Sequence, residues 1–331
     1  MSTETVLTWQ NAEHTLRVEP WGESSVRVRA TPAPAFSDPD YALLPQAAAA
    51  AEIVTTDHGR ALVNGKLRAE LSDDGRLAFF NHATGACLLE EPVVEILHAP
   101  GREFRAGDGN LWGLEARFRA HDDERFYGLG QHRHGRFDQK GCVLDLRQEN
   151  CEVSIPFTLS SRGYGFLWHN PAIGRVELGH TLTRWIAAAT DQLDYWVTAG
   201  DTPAEIMAHY VDATGHAPML PDWASGFWQC KLRYKTEDEL LEVAREYKRR
   251  GLPLSVIVID FFHWTLMGDF TFNPDEWPDP EGMLAELEEM GVKAMISVWP
   301  SFNINSRNYD DFADRGYLIR SRSGMPASMR F

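Results

Sequence analysis

Asp260 closes the short apolar run Leu254-Ser-Val-Ile-Val-Ile-Asp260, and Phe261-Phe-His-Trp264 follows it directly. Two other short runs carry indoles: Gly226-Phe-Trp-Gln-Cys230 holds Trp228, and Val292-Lys-Ala-Met-Ile-Ser-Val-Trp-Pro300 ends on Trp299. A carboxylate set among aromatic faces suits a sugar. The C–H faces of the sugar ring pack on indole or phenyl surfaces, and its hydroxyls bond to the carboxylate. Core packing accounts for any one of these tryptophans taken singly, and capping a loop backbone accounts for Asp260 as well as substrate binding does. Three segment ends repeating one theme favour a site.

The elements that must position these residues follow from the pattern around them. The run 254–260 is β-branched and unbroken, with apolar side chains pointing both ways, as in a parallel strand covered on both faces. Before it, Thr236-Glu-Asp-Glu239 is a capping box. Leu240, Leu241, Val243, Ala244 and Tyr247 form one apolar helical face, which Gly251 ends. After it, Asp279-Pro280 starts a helix whose expected buried face is Met283, Leu284, Leu287 and Met290, ended by Gly291. Strand–helix–strand–helix–strand makes two consecutive βαβ units. A doubly wound nucleotide-binding sheet would carry a glycine-rich turn after its first strand, and Gln229-Cys-Lys-Leu-Arg has none. The start of a (β/α)8 barrel is favoured, and barrels place their chemistry at the carboxyl ends of strands.

The first two thirds of the chain read differently. Alternating apolar and charged residues at 14–19, 25–30, 61–71, 77–81, 93–97 and 142–146 predict half-buried antiparallel strands. Residues 155–168 predict two more around Ser-Ser-Arg-Gly, and residues 47–51 an irregular connection. No helical period is sustained until Thr202-Pro-Ala-Glu205 opens a helix over 203–214. The expectation is an N-terminal antiparallel β-sandwich over 1–218, then the first βα units of an incomplete (β/α)8 TIM barrel over 219–331.

The chain's 331 residues exceed the ~100–200 usual for one domain. Its net charge of −16 argues against a nucleic-acid partner, which needs clustered Lys and Arg. No run is long and apolar enough to span a bilayer, so no membrane partner is expected. The N-terminus shows no basic or apolar leader, and with no C-x-x-C spacing Cys87, Cys142, Cys151 and Cys230 read as reduced thiols. The expected location is cytoplasmic. Glu124-Arg-Phe-Tyr-Gly-Leu-Gly-Gln131 lacks the third glycine of a dinucleotide loop and the Lys-Ser/Thr of a P-loop. His132-Arg-His134 is half a metal site without partners at ligand spacing. Neither a metal nor a cofactor is expected.

Taken together, the segments resemble glycoside hydrolase family 31. The matching blocks run in family order: Phe126-Tyr-Gly-Leu-Gly-Gln131, Ile155-Pro-Phe157, Arg162-Gly-Tyr-Gly165, Gly226-Phe-Trp-Gln229, Arg250-Gly-Leu-Pro-Leu254, Ile259-Asp-Phe-Phe-His-Trp264, Gly268-Asp-Phe-Thr-Phe-Asn-Pro-Asp275, Trp277-Pro-Asp279 and Met290-Gly-Val-Lys-Ala-Met-Ile-Ser-Val-Trp-Pro300. The resemblance implies an enzyme that cleaves α-linked sugars with retention, its substrate an α-linked oligosaccharide or α-glycoside. It implies that Asp260 bonds sugar hydroxyls and Trp299 lines the same subsite, with Trp228 and Trp264 carried over as further lining. It also implies a preference. The family's α-glucosidases commonly have an acidic residue two places after the strand-ending aspartate, whereas Phe262 resembles the bulky aromatic of its α-xylosidases.

Retention needs two carboxylates about 5–5.5 Å apart. In the family both are aspartates on later barrel strands, and neither motif occurs before Phe331. The expectation is therefore no catalytic residue within this chain, which reads as the front part of a longer enzyme, inactive alone. Homo-oligomerisation of a full-length form stays open. The competing readings are an α-glucosidase, a non-catalytic carbohydrate-binding β-sandwich and, more weakly, a nucleotide-binding α/β protein.

Overall fold

Strand β1 (Leu7–Gln10), β2 (Thr15–Pro20) and β3 (Ser25–Thr31) turn the first alternating segments into an antiparallel meander. Leu16 faces Ala30 and Val18 faces Val28 across β2 and β3, and all four are fully buried. The other face of β3 carries Arg27 and Arg29, which are buried too and must therefore be paired. Arg27 holds Asp194 through two bonds of 3.0 and 2.7 Å, and Arg29 holds Glu19. Removing one member of such a buried pair costs about 3–5 kcal/mol, because the other charge is left without a partner.

In a computed structural model, residues 5–38, 41–46, 50–93, 100–321 and 323–327 are described, and the chain divides into two compact units, Met1–Ala217 and Pro218–Phe331. In the first unit β4 (Glu52–Thr56), β5 (Gly59–Asn64), β6 (Leu67–Ser72), β7 (Leu77–Asn81) and β8 (Cys87–Glu90) form a five-stranded sheet in sequence order. The single alternating segment expected at 61–71 is two strands. Gly65, at φ 55°, turns the chain between Asn64 and Leu67, which pair.

The remaining strands are β9 (Arg102–Ala106), β10 (Trp112–Arg119), β11 (Phe126–Gln131), β12 (Val143–Leu146), β13 (Val153–Ser160), β14 (Tyr164–Trp168), β15 (Gly174–Leu178), β16 (Leu182–Thr190) and β17 (Leu193–Ala199). They complete a seven-stranded sheet ordered β1-β2-β3-β17-β14-β13-β11 and a five-stranded sheet ordered β12-β15-β16-β10-β9. All three sheets contribute to one core, where Phe166 stacks on Trp185 at 4.7 Å and on Tyr195 at 5.0 Å. The expected strand at 93–97 falls, beyond Val93, outside the described residues, and so does most of the connection at 47–51. Helix α1 (Pro203–Thr214) is capped by Thr202, whose hydroxyl accepts the Glu205 N–H at 3.2 Å.

In the second unit β18 (Trp228–Cys230), β19 (Val256–Ile259) and β20 (Lys293–Ile296) are parallel, with β19 in the middle. Helices α2 (Glu237–Arg249) and α3 (Pro280–Glu289) cover one face. Leu240, Leu241, Ala244, Met283 and Leu287 pack there on Ile257 and Ile259. On β20, Met295 and Ile296 are exposed. The architecture is an antiparallel, sandwich-like β domain followed by a partial TIM barrel.

His14 makes the first unit sensitive to acid. Its ring lies 5.6 Å from Trp9 and 5.3 Å from Phe104, and neither nitrogen has a hydrogen-bond partner among the described residues. Burial, reinforced by the Arg102 charge, lowers its pKa to about 4. The unfolded chain therefore takes up a proton that the folded chain refuses, and stability falls as pH drops from about 6.5 towards about 4. Urea midpoints measured at pH 7 and pH 4.5 should differ less in His14→Leu than in the native chain. An equal difference would clear His14 of this role.

Candidate functional site

The site is built outward from β19. Its two neighbours bond it on both sides, so the position where it ends is fixed, and Asp260 is the next residue. Asp260 is half-buried, and its Oδ1 accepts the Phe261 N–H at 2.8 Å. Oδ1 thus caps the start of the following loop, and among the described residues no protein donor bonds Oδ2.

The loop from Phe261 folds back on itself through the bridge between Trp264 and Phe272. Phe262 sits at φ 65°, a left-handed conformation that a bulky residue adopts only when its surroundings hold it. Arg233 supplies that hold: its Nη1 donates to the Phe262 carbonyl at 3.1 Å and lies 3.5 Å from Glu276 Oε2. Phe262 is 46% exposed, two residues after Asp260. His263 turns inward, its Nδ1 lying 3.3 Å from the Asp260 carbonyl, and burial pushes its imidazole below the ordinary range.

Further along, Asp269 is a latch. Oδ2 accepts the Thr265 hydroxyl at 2.6 Å, and Oδ1 accepts the Arg307 N–H at 3.0 Å. These bonds, the threonine's first, hold its carboxyl below the usual range. The chain around it presses closely on Phe302: a Cβ on Gly268 would fall 2.7 Å from the Phe302 ring and 3.1 Å from its backbone. Asp269 is thus committed to joining two loops and is poorly suited to donating a proton.

The predicted residues fall into two groups. Rings connect Trp299 to Phe261 at 5.0 Å, Phe261 to Phe262 at 4.2 Å and Phe262 to Trp264 at 6.1 Å, so three of the five predicted residues share one ring cluster, and Asp260 adjoins it through its bond to the Phe261 N–H. Trp228 stands apart. Its ring is beside Trp223 at 6.1 Å, and its indole N–H donates to the Ala224 carbonyl at 3.1 Å. A cleft of about 940 Å³ opens between Phe262 and Trp264 on one side and Pro300, Phe302, Tyr309 and Tyr317 on the other. Asp260, Trp299 and Trp228 do not line it, so this cleft and the carboxylate adjoin through Phe262 without coinciding.

Residues 217–330 match the glycosyl hydrolases family 31 TIM-barrel domain, and residues 15–177 match the glycosyl hydrolase 31 N-terminal galactose mutarotase-like domain. The chain belongs to glycoside hydrolase family 31. It is 43% identical, over 98% of its length, to an uncharacterised family 31 glucosidase of Pseudescherichia vulneris, of which it covers 64%. It is 37% identical, over 63% of its length, to an α-xylosidase of Saccharolobus solfataricus, of which it covers 30%. Among solved structures, a family 31 α-xylosidase from a soil metagenome, complexed with xylose, superposes with a TM-score of 0.94 at 47% identity. That match covers 98% of this chain and 51% of that one. The chain thus corresponds to the N-terminal part of longer family 31 enzymes and spans less than two thirds of the length of these relatives.

Within this family 31 chain, the described residues contain no group of three or more His, Cys, Asp or Glu placed to hold a metal ion. His132 and His134 stack at 5.7 Å, and His132 Nε2 lies 2.9 Å from the Leu129 carbonyl. Among the described residues no helix is long and apolar enough to cross a membrane.

Sequence reasoning missed Arg233 and Glu276, which shape the Phe262 turn. No motif marks them, since a backbone carbonyl held by a distant guanidinium leaves no local pattern. Asp269→Ala should free the Arg307 amide from its latch. Loss of a bond to a charged acceptor is worth about 1.5–3 kcal/mol, so exchange of that amide should quicken by about tenfold or more. An unchanged exchange rate would show that Asp269 does not hold the two loops together.

Proposed function

We propose that residues 1–331 form the substrate-binding front of a retaining α-glycosidase, and that the sugar bound at Asp260 is xylose. The observation that carries this reading is Phe262. This residue is exposed two residues after Asp260, and its backbone carbonyl is held there by Arg233 at 3.1 Å. A phenyl ring at this position removes both room and a hydrogen-bond partner for the hydroxymethyl group that distinguishes glucose from xylose. The similarity to relatives named α-xylosidases supports the same choice. The α-glucosidase reading draws on the Pseudescherichia relative, which is named a glucosidase.

In this proposal Asp260 acts as an ionised acceptor for sugar hydroxyls while Trp299 and Trp264 wall the same subsite. Charge-assisted bonds to hydroxyls orient the ring and strengthen as the anomeric carbon gains positive character. The nucleophile and the acid/base must face that carbon from opposite sides, about 5–5.5 Å apart. We assign neither role to Asp260, which we place at the hydroxyls, nor to Asp269, which is spent on its latch. The reacting pair is assigned to barrel strands outside residues 1–331.

The test joins residues 1–331 to the remaining barrel of the soil-metagenome α-xylosidase and compares 4-nitrophenyl α-xyloside with the α-glucoside. The fusion should prefer the xyloside, and Phe262→Asp should move the kcat/KM ratio towards the glucoside by about tenfold. The 331-residue chain alone should turn over neither substrate. A ratio unmoved by Phe262→Asp would remove the xylose assignment, and turnover by the chain alone would place reacting carboxylates within it.

A further inference from the structure

We propose that the first unit carries a second, non-catalytic site for a neutral pyranose sugar, in the cavity between the β11–β13 pair and the start of α1. The proposal is independent of the reading given to Asp260. The cavity holds about 440 Å³, within the ~300–1,000 Å³ typical of small-molecule sites. Its apolar wall is Tyr127, Phe137, Leu159 and Ile206, and its polar rim is Ser161, Asp201 and Thr202.

Tyr127 and Leu159 are cross-strand partners, so their side chains share one face of the sheet. Phe137 is 83% exposed, yet its ring is not loose on the surface. It leans on Tyr127 with centroids 4.9 Å apart and planes at 42°. Two rings held together in this way offer an apolar face that the packing of the protein leaves unused. Ser160 donates its hydroxyl to the buried Glu124 at 2.6 Å, and Tyr164 donates to the same oxygen at 2.8 Å.

The rim has hydrogen-bonding capacity to spare. Ser161 Oγ accepts the Arg125 N–H at 2.9 Å and Thr202 Oγ1 accepts the Glu205 N–H at 3.2 Å, and neither hydroxyl donates to the protein among the described residues. Asp201 Oδ2 is paired with Lys66 Nζ at 2.5 Å, which fixes the carboxylate and leaves its other oxygen to accept. This set selects a ligand class. A purely apolar ligand would strip water from Asp201 and the hydroxyls without replacing their bonds. An anion would meet the carboxylate, and a cation would have to compete with Lys66, whose ammonium already bridges Asp201 and Glu205 at 2.5 Å each. A pyranose satisfies both parts, C–H face to the rings and hydroxyls to the rim.

The test is a titration of the 331-residue chain with methyl α-xylopyranoside and methyl α-glucopyranoside, followed by the aromatic NMR resonances of Tyr127 and Phe137. Saturable shifts are expected. Phe137→Ala should weaken binding read at Tyr127 by about tenfold, the loss expected for one ring contact, and its exposure means that the fold is not at risk. Asp201→Asn should weaken it in the same direction, while Asp260→Ala should leave the Tyr127 and Phe137 shifts intact. The proposal is overturned if neither sugar moves these resonances, if Phe137→Ala binds as the native chain does, or if Asp260→Ala abolishes the shifts.

Discussion

The candidate site depends on a strand of four residues. Val256–Ile259 is bonded to a parallel neighbour on each side and packed by two helices on one face, with Ile257 and Ile259 fully buried. A strand so constrained neither slides nor twists freely, and a one-residue slip would turn its buried side chains outward. The residue that follows therefore leaves the sheet at a fixed point. That residue is Asp260, which in turn bonds its neighbours: the Phe261 N–H to its carboxylate and the His263 imidazole to its carbonyl.

The two units meet the cost of buried polarity in different ways. In the first, charges taken into the sandwich are paired in place, as Arg27 is with Asp194. In the second, charged side chains bond loop backbone: Arg233 donates to the Phe262 carbonyl, and the buried Asp269 accepts the Arg307 N–H. The loop that presents Phe262 is accordingly held by side chains reaching across from other elements. Its conformation depends on residues distant in sequence.

That difference explains what could be read from the sequence. The strand Val256–Ile259 and helices α2 and α3 are marked by local period and capping residues, and Asp260, Phe262, Trp264 and Trp299 follow from their places relative to those elements. Strands β9 and β15 were harder to see, having few apolar residues, and β16 is interrupted by the run Ala187-Ala-Ala189. Cross-strand ion pairs help hold that sheet, among them Arg117 with Glu103 and Arg184 with Glu115 at 3.3 Å. Such pairs exist only once the strands have met. Trp228 shows the converse: its place at a strand end is legible, but its indole is tied to the Ala224 carbonyl, away from the ring cluster.

The account turns on Asp260 as an ionised partner of sugar hydroxyls. The direct test is kcat/KM on 4-nitrophenyl α-xyloside for Asp260→Ala within a completed barrel, with thermal unfolding measured alongside. Two bonds to a charged acceptor are worth about 4 kcal/mol together, which predicts a fall of roughly a thousandfold in a variant that still unfolds cooperatively. A kcat/KM equal to that of the unsubstituted enzyme would contradict the account and leave Asp260 as a cap on the Phe261 backbone.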